Sequence, residues 1–170
     1  VTKYSDVDSL LDAEHNNHTE IRFSINTPRI INEHEHYTAS ANKRIESAVK
    51  LARAGYQIGF IIAPVFLYEG WKEEYKNLII SIKEALPKDF DKKIIFEVIS
   101  HRYTTKAKNR ILEIYPDTLL PMENEDRKFK YGQFGYGKYV YDKEQLDDMK
   151  EFFLKEINGV FKNSLIKYII

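Results

Sequence analysis

The sequence predicts an α/β domain built around parallel strands. Two nearly continuous apolar runs, QIGFIIAPV at 57–65 and KIIFEVISH at 93–101, are typical of strands buried on both faces. Each is followed by a segment with helical spacing, and so is the shorter β-rich run IRFSINT at 21–27. Three successive strand-then-helix units indicate parallel strands joined by crossover helices. The pattern fits either a doubly wound sheet or part of a barrel.

Glycine and proline mark where the three predicted helices end. The first runs from Asn42 to Gly55, where glycine supplies the C′ position. The second spans 69–86 before Pro87, and the third spans 104–115 before Pro116. The opening VTKY is interpreted as the end of a further strand. Near the carboxyl terminus, a capping box at Asp142 begins another helix, and 164–170 is a predicted strand.

Composition limits the possible functions. The chain contains 43% hydrophobic and 31% charged residues, as in globular proteins, and its apolar runs are far shorter than the roughly 20 residues of a membrane span. It has no cysteine, which excludes disulfides, thiol catalysis and cysteine-ligated metals within these residues. We expect a cytoplasmic protein. The formal net charge is zero, so any affinity for nucleic acid must be local.

Residues at the carboxyl ends of the predicted strands are candidates for a binding site, because ligands bind there in both candidate folds. They are Lys3, Ser24 to Asn26, Ala63 to Pro64, and His101 with Arg102. The Ser24 hydroxyl could bind a nucleotide-like cofactor, and His101 and Arg102 suit phosphate contact or acid–base chemistry. From the residues alone, a capping role for Ser24 and a solvated role for Lys3 are favoured over a binding role, and a local salt bridge is the alternative for His101 and Arg102.

The segment RKFKYGQFGYGKYVY at 127–141 predicts a β-hairpin with nucleic-acid affinity. It has four basic residues, no acidic residue and six aromatic residues, with glycines at 132, 135 and 137. Cations neutralise phosphates, and aromatic faces stack on bases. An ordinary hairpin that packs its aromatic residues on the domain is the alternative.

The run EHEH at 33–36 invites a metal-site interpretation, because imidazoles and carboxylates bind zinc and iron. The two histidines are two residues apart, whereas a helix would align them at four. The surrounding sequence is interpreted as a loop, so solvated side chains are favoured over a metal site.

Several segments, in this order, resemble the carboxyl-terminal half of the spore photoproduct lyase family, which belongs to the radical S-adenosylmethionine superfamily. They are VTKY, RFSIN at 22–26, IAPVFLYEGW at 62–71, FEVISHRYT at 96–104, the 127–141 segment and the final LIKYII. The resemblance implies the later strands of a partial parallel (β/α) barrel at 1–122. It also implies a DNA-binding β-hairpin, helix and terminal strand packed on the barrel at 123–170.

The resemblance also implies an activity. The full-length enzyme would be a DNA repair lyase that reverses the spore photoproduct, a methylene-bridged thymine dimer, to two thymines by 5′-deoxyadenosyl radical chemistry. Its cofactors would be S-adenosylmethionine and a 4Fe-4S cluster whose cysteine ligands lie upstream, so this cysteine-free chain alone is expected to be inactive. The alternatives are a non-catalytic nucleic-acid-binding α/β module and another radical S-adenosylmethionine enzyme with a different substrate.

The expected site residues fall into two groups. Lys3, Ser24 and Ala63 match family positions that hold S-adenosylmethionine, the lysine by pairing with its carboxylate. The expected DNA-binding residues are His101, Arg102, Lys128, Lys130, Gln133, Phe134 and Lys138. At the hairpin tip the family often has an arginine followed by a tyrosine. Gln133 and Phe134 replace them here, which preserves an aromatic face but removes the cation.

Overall fold

The computed structural model describes residues 1–132, 135 and 137–170. In chain order the elements are β1 (Glu20–Ile25), α1 (Pro28–His34), α2 (Ala41–Arg53), β2 (Gln57–Val65), α3 (Trp71–Ala85), β3 (Ile94–Ser100), α4 (Thr105–Ile114), β4 (Lys128–Tyr131), β5 (Gly137–Val140), α5 (Lys143–Val160) and β6 (Ser164–Ile169). The predicted alternation of strands and helices is confirmed.

Four strands form one parallel sheet in the order β1-β2-β3-β6. Thr2 adds a parallel bridge to Phe23, so the start of the chain lies beside β1, as expected of a further strand. The hairpin β4–β5 is a separate antiparallel pair. The predicted fold class of parallel strands followed by a hairpin, a helix and a strand is therefore confirmed. The last strand, β6, lies in the sheet next to β3.

The two faces of the sheet differ in chemistry because side chains alternate along each strand. One face carries Phe23, Ile62 and Phe96, which are buried in the main hydrophobic core with residues of α2, α3 and α5. Ser24, Ala63 and Glu97 alternate with these residues and therefore point to the opposite face, which we call the open face. The proposed cofactor residues lie on it.

Glycine permits an ion pair across the open face. Arg22 of β1 reaches over β2 to bind Glu97 of β3, and Glu97 is only 2% exposed. Between them lies Gly59, where an added Cβ would lie 3.1 Å from Arg22 Cγ and 2.9 Å from the Ile95 carbonyl oxygen. A side chain at position 59 would therefore push Arg22 away from Glu97.

One helix was not predicted. The segment before EHEH was interpreted as a loop, but it forms α1, with Pro28 in its first turn and the Thr27 hydroxyl accepting from Ile30 N at 3.4 Å. Proline ends a strand because it lacks an N–H, and for the same reason it is well suited to begin a helix. Ile30 and Ile31 bury the inner side of this short helix.

None of the helices within the described residues combines the length and the hydrophobicity that a membrane span requires.

Candidate functional site

Two of the predicted cofactor residues meet in a charged cluster at the carboxyl end of β1. Lys3 Nζ lies 2.9 Å from Glu35 Oε1, and Arg44 Nη2 donates to Glu35 Oε2 at 2.7 Å. Arg44 Nη1 also donates to the Ser24 carbonyl oxygen at 3.0 Å. Two cations and one anion leave one positive charge, and the Lys3 side chain is 39% exposed. The cluster therefore retains an accessible ammonium group for an anionic ligand.

Arg44 organises this cluster, although the sequence interpretation did not single it out. Its side chain is fully buried, and it also donates to the Ala39 carbonyl oxygen and the Thr38 hydroxyl at 2.8 Å each. A signal was present in the sequence. Arg44 precedes Ala48 by four residues and Leu51 by seven, so it lies on the apolar face of its helix.

Ser24 and Ala63 lie on adjacent strands of the open face. Ser24 pairs with Ile61, and Ala63 follows two residues later on the same face. Beyond them, Asn26 Nδ2 donates to the Pro64 carbonyl oxygen at 2.7 Å, which ties the ends of β1 and β2 together. Ser24 is 9% exposed and its carbonyl oxygen already accepts from Arg44, whereas Ala63 is partly exposed.

His101 is buried at the end of β3, where it is 5% exposed. Its ring stacks on Phe66 with centroids 4.4 Å apart, and Arg127 Nη2 donates to its Nδ1 at 3.3 Å. Burial, and secondly the Arg127 cation, lower the pKa of His101 from 6.5 to about 3. His101 is therefore neutral at pH 7, and any contact that it makes with DNA is not a charge–charge contact.

Because the pKa of His101 is lowered, the free energy of unfolding should fall as the pH is lowered from about 7 to about 5. Its pKa is 6.5 before folding and about 3 in the folded protein. The unfolded chain therefore binds more protons between these values, and the stability present above pH 6.5 is lost toward pH 3. We expect His101 to contribute a loss of about 2 kcal/mol over this window. Urea unfolding at both pH values measures it, and an equal loss in His101→Asn would contradict the prediction.

The hairpin separates its side chains into two faces. Phe129 pairs with Tyr139, and Lys130 lies directly opposite Lys138. Alternation places Lys128 on the same face as these two lysines, while Phe129 and Tyr131 occupy the other face. The first face is basic and the second is aromatic; cations can neutralise phosphates, and aromatic rings can stack on bases.

Arg127 attaches the base of the hairpin to the end of β3. Its guanidinium lies 3.6 Å from the centroid of the Tyr141 ring and donates to the His101 carbonyl oxygen at 3.1 Å. Tyr103 and Tyr139 add two backbone hydrogen bonds, of 3.2 and 2.7 Å. The hairpin thus begins at the carboxyl edge of the sheet.

A series of aromatic rings continues from the strand ends into the hairpin. Successive ring centroids lie 4.4 to 5.7 Å apart. We call this the ring series, and its members are His34, Phe66, His101, Tyr103, Tyr139, Phe129 and Tyr131. The aromatic residues of the 127–141 segment differ in exposure: Tyr141, outside the series, is 5% exposed, whereas Tyr131 is 79% exposed.

The other predicted DNA-binding residues are placed as follows. Lys128 and Lys130 are exposed, and Lys138 and Arg102 are partly exposed. Gln133 and Phe134 lie outside the described residues. The DNA-binding roles of all these residues stay predictions.

The histidines of the EHEH run form no metal site within the described part of the chain, which holds no suitable group of three or more ligands. His34 lies at the end of α1 against Phe66, and burial lowers its pKa.

Comparison with known proteins identifies relatives over the whole chain. A sequence model of the spore photoproduct lyase family matches residues 1–170. The spore photoproduct lyase of Clostridium acetobutylicum is 58% identical over 170 residues, which are all of this chain and 50% of that protein. The Bacillus subtilis enzyme is 45% identical over 168 residues and is covered to 49%.

Solved structures agree. A spore photoproduct lyase complexed with dinucleoside spore photoproduct superimposes with a TM-score of 0.94 at 39% identity, over 99% of this chain and 50% of that one. A mutant of spore photoproduct lyase with bound AdoMet and dinucleoside spore photoproduct gives the same values. The chain spans about half the length of the relatives that it matches. It belongs to the spore photoproduct lyase family.

Proposed function

We propose that this chain forms part of a DNA repair lyase that converts the spore photoproduct into two thymines with S-adenosylmethionine as cofactor. The observation that carries the proposal is the position of the hairpin. Arg127 and Tyr103 fix a basic, aromatic hairpin to the end of β3, at the same carboxyl edge of the sheet as Lys3, Ser24 and Ala63. Relatives at 58% and 45% identity are spore photoproduct lyases.

The donor set at the end of β1 fits the amino-acid part of S-adenosylmethionine. Lys3 offers an ammonium group to its carboxylate, and the surplus positive charge of the cluster with Glu35 and Arg44 favours that anion. The Ser24 hydroxyl and the partly exposed residue Ala63 would contact the remainder. When bound, the cofactor would supply the radical chemistry, while these residues bind and orient it.

A 4Fe-4S cluster does not fit these 170 residues, because they contain no cysteine. Thiolate ligands would have to come from residues outside them. We therefore propose that the chain alone is inactive, so binding and repair must be measured with a full-length protein that contains it. We also propose a cytoplasmic location.

Substitution of Lys3 tests the cofactor site. In the full-length protein, Lys3→Ala should weaken S-adenosylmethionine binding about 10- to 100-fold, the effect of losing a charge-assisted contact. DNA affinity should stay unchanged, because the hairpin is attached through Arg127 and Tyr103, whereas Lys3 pairs with Glu35. Calorimetric titration with each ligand measures both. Cofactor affinity equal to that of the wild type would remove Lys3 from the site.

Substitution of Lys130 tests DNA binding by the hairpin. Lys130 faces Lys138, and like charges opposite each other are unfavourable without a neighbouring anion. Loss of one phosphate contact should reduce the slope of log affinity against log salt by about 0.9 and weaken binding to intact and lesion-bearing duplexes alike. Lys76→Ala, an exposed lysine on α3, is the matched control. Identical slopes for both variants and the wild type would exclude the phosphate contact.

By its residue type, Phe134 is proposed to stack near the lesion.

A further inference from the structure

The ring series ends in two exposed rings. Phe66, His101 and Tyr103, within the series, are 2 to 5% exposed. Phe129 is 46% exposed, and Tyr131, the last ring, is 79% exposed. Each inner ring has a neighbour on both sides, whereas Tyr131 contacts Phe129 edge-on, with centroids 5.2 Å apart, and presents the rest of its surface to solvent.

A glycine keeps Phe129 on this exposed face. A Cβ added to Gly137 would lie 1.9 Å from Phe129 Cζ, so the ring occupies the volume that any other residue would fill. Gly137 does not have a positive φ, and its role is therefore to make room rather than to supply a special backbone conformation. A side chain at position 137 would fill this space and displace the Phe129 ring, while the backbone of the strand would stay unchanged.

The opposite face of the same two strands is suited to a polyanion. Lys130 and Lys138 are directly paired, and Lys128 shares their face. A ligand that satisfies both faces must combine flat aromatic groups with closely spaced negative charges. A nucleic acid has both properties, whereas an apolar peptide segment has only the first.

We propose that Phe129 and Tyr131 form a subsite for an unstacked nucleobase, which adds the next ring to the series while the lysines hold its phosphates. The subsite rests on the proposed DNA binding by the hairpin, and it adds a base contact at residues other than Gln133 and Phe134. Because stacking on an aromatic ring tolerates all four bases, the subsite selects for an unpaired base and not for a sequence.

The test uses the full-length protein and two matched duplexes, one fully paired and one with a single bulged 2-aminopurine. Tyr131→Leu and Phe129→Leu should weaken binding to the bulged duplex about 5- to 150-fold, the range for loss of one base–aromatic stack, and leave the salt slope unchanged. Tyr131→Phe should retain wild-type affinity and the quenching of 2-aminopurine fluorescence. Gly137→Ala should behave like Phe129→Leu and keep the wild-type melting temperature.

The controls separate this subsite from the proposed function. Tyr115→Leu, which changes a tyrosine after α4 that is 64% exposed, should have no effect. If Lys130→Ala weakens binding to both duplexes while Tyr131→Leu binds like the wild type, the base subsite is wrong and DNA binding by the hairpin stands. If neither variant changes affinity, both the base subsite and DNA binding by the hairpin are wrong. A Tyr131→Leu variant that loses thermal stability but not affinity would show that this face packs against protein, which also overturns the subsite.

Discussion

The Arg44→Ala variant is expected to lose about 3–5 kcal/mol of unfolding free energy. The Arg44 guanidinium is fully buried and paired with Glu35, which is 6% exposed as a side chain. Its removal leaves a buried carboxylate with Lys3 as its remaining cationic partner and frees the carbonyl of Ser24. Chemical denaturation of the variant measures the loss.

Arg53→Ala on the same helix is the matched control, because Arg53 is exposed and its removal should cost less than about 0.5 kcal/mol. Adding Glu35→Gln to Arg44→Ala should recover part of the stability, since the uncompensated charge disappears. A loss below about 1 kcal/mol for Arg44→Ala, or no recovery in the double variant, would show that the ion pair does not organise the end of β1.

The second large effect is expected at the hairpin base. Arg127→Ala removes two hydrogen bonds to His101 and the stacking on Tyr141. Charged hydrogen bonds and desolvated cation–π contacts are each worth about 1.5–3 kcal/mol. Opening of the hairpin should therefore become easier, and the amide hydrogens of Tyr103 and Tyr139, which bond across the junction, should exchange about 10- to 100-fold faster.

Two controls make this measurement specific. Amides in the centre of β2 and β3 should keep their exchange rates, because the sheet does not depend on Arg127. Arg110→Ala, which removes an exposed pair with Glu113 on α4, should change neither region. Unchanged exchange at Tyr139 in Arg127→Ala would mean that the backbone pairing alone holds the hairpin.

Local sequence patterns predicted most of the fold. Buried strands such as 57–65 and 93–101 are recognisable because both faces must be apolar, and the helix ends coincide with Gly55 and Pro116 within a few residues. The segment at 28–34 was misjudged because proline signals both the end of a strand and the start of a helix. Whether this segment forms a loop or a helix depends on the burial of Ile30 and Ile31, which local sequence patterns do not indicate.

The sequence predicted where the residues of the candidate site lie in the fold, but not which residues they contact. Lys3, Ser24, Ala63 and His101 were assigned to strand ends, and the sheet places them there. Their partners come from elsewhere in the chain: Glu35 from the loop after α1, and Arg127 from the hairpin base. Contacts between residues so distant in sequence produce no periodic pattern, so they could not be predicted from the sequence. The neutrality of His101 could not be foreseen, because it results from burial against Phe66 and Arg127.

The most direct test of the proposed function is a repair assay with the full-length protein. After anaerobic reconstitution with iron and sulfide, it should convert DNA that contains spore photoproduct into DNA with two thymines per lesion, only when S-adenosylmethionine and a reductant are present. Chromatography of the hydrolysed DNA measures both species. Cleavage of S-adenosylmethionine with the lesion intact would indicate a radical enzyme with a different substrate. Binding of DNA without any use of the cofactor would indicate a non-catalytic module, and either result would contradict the account.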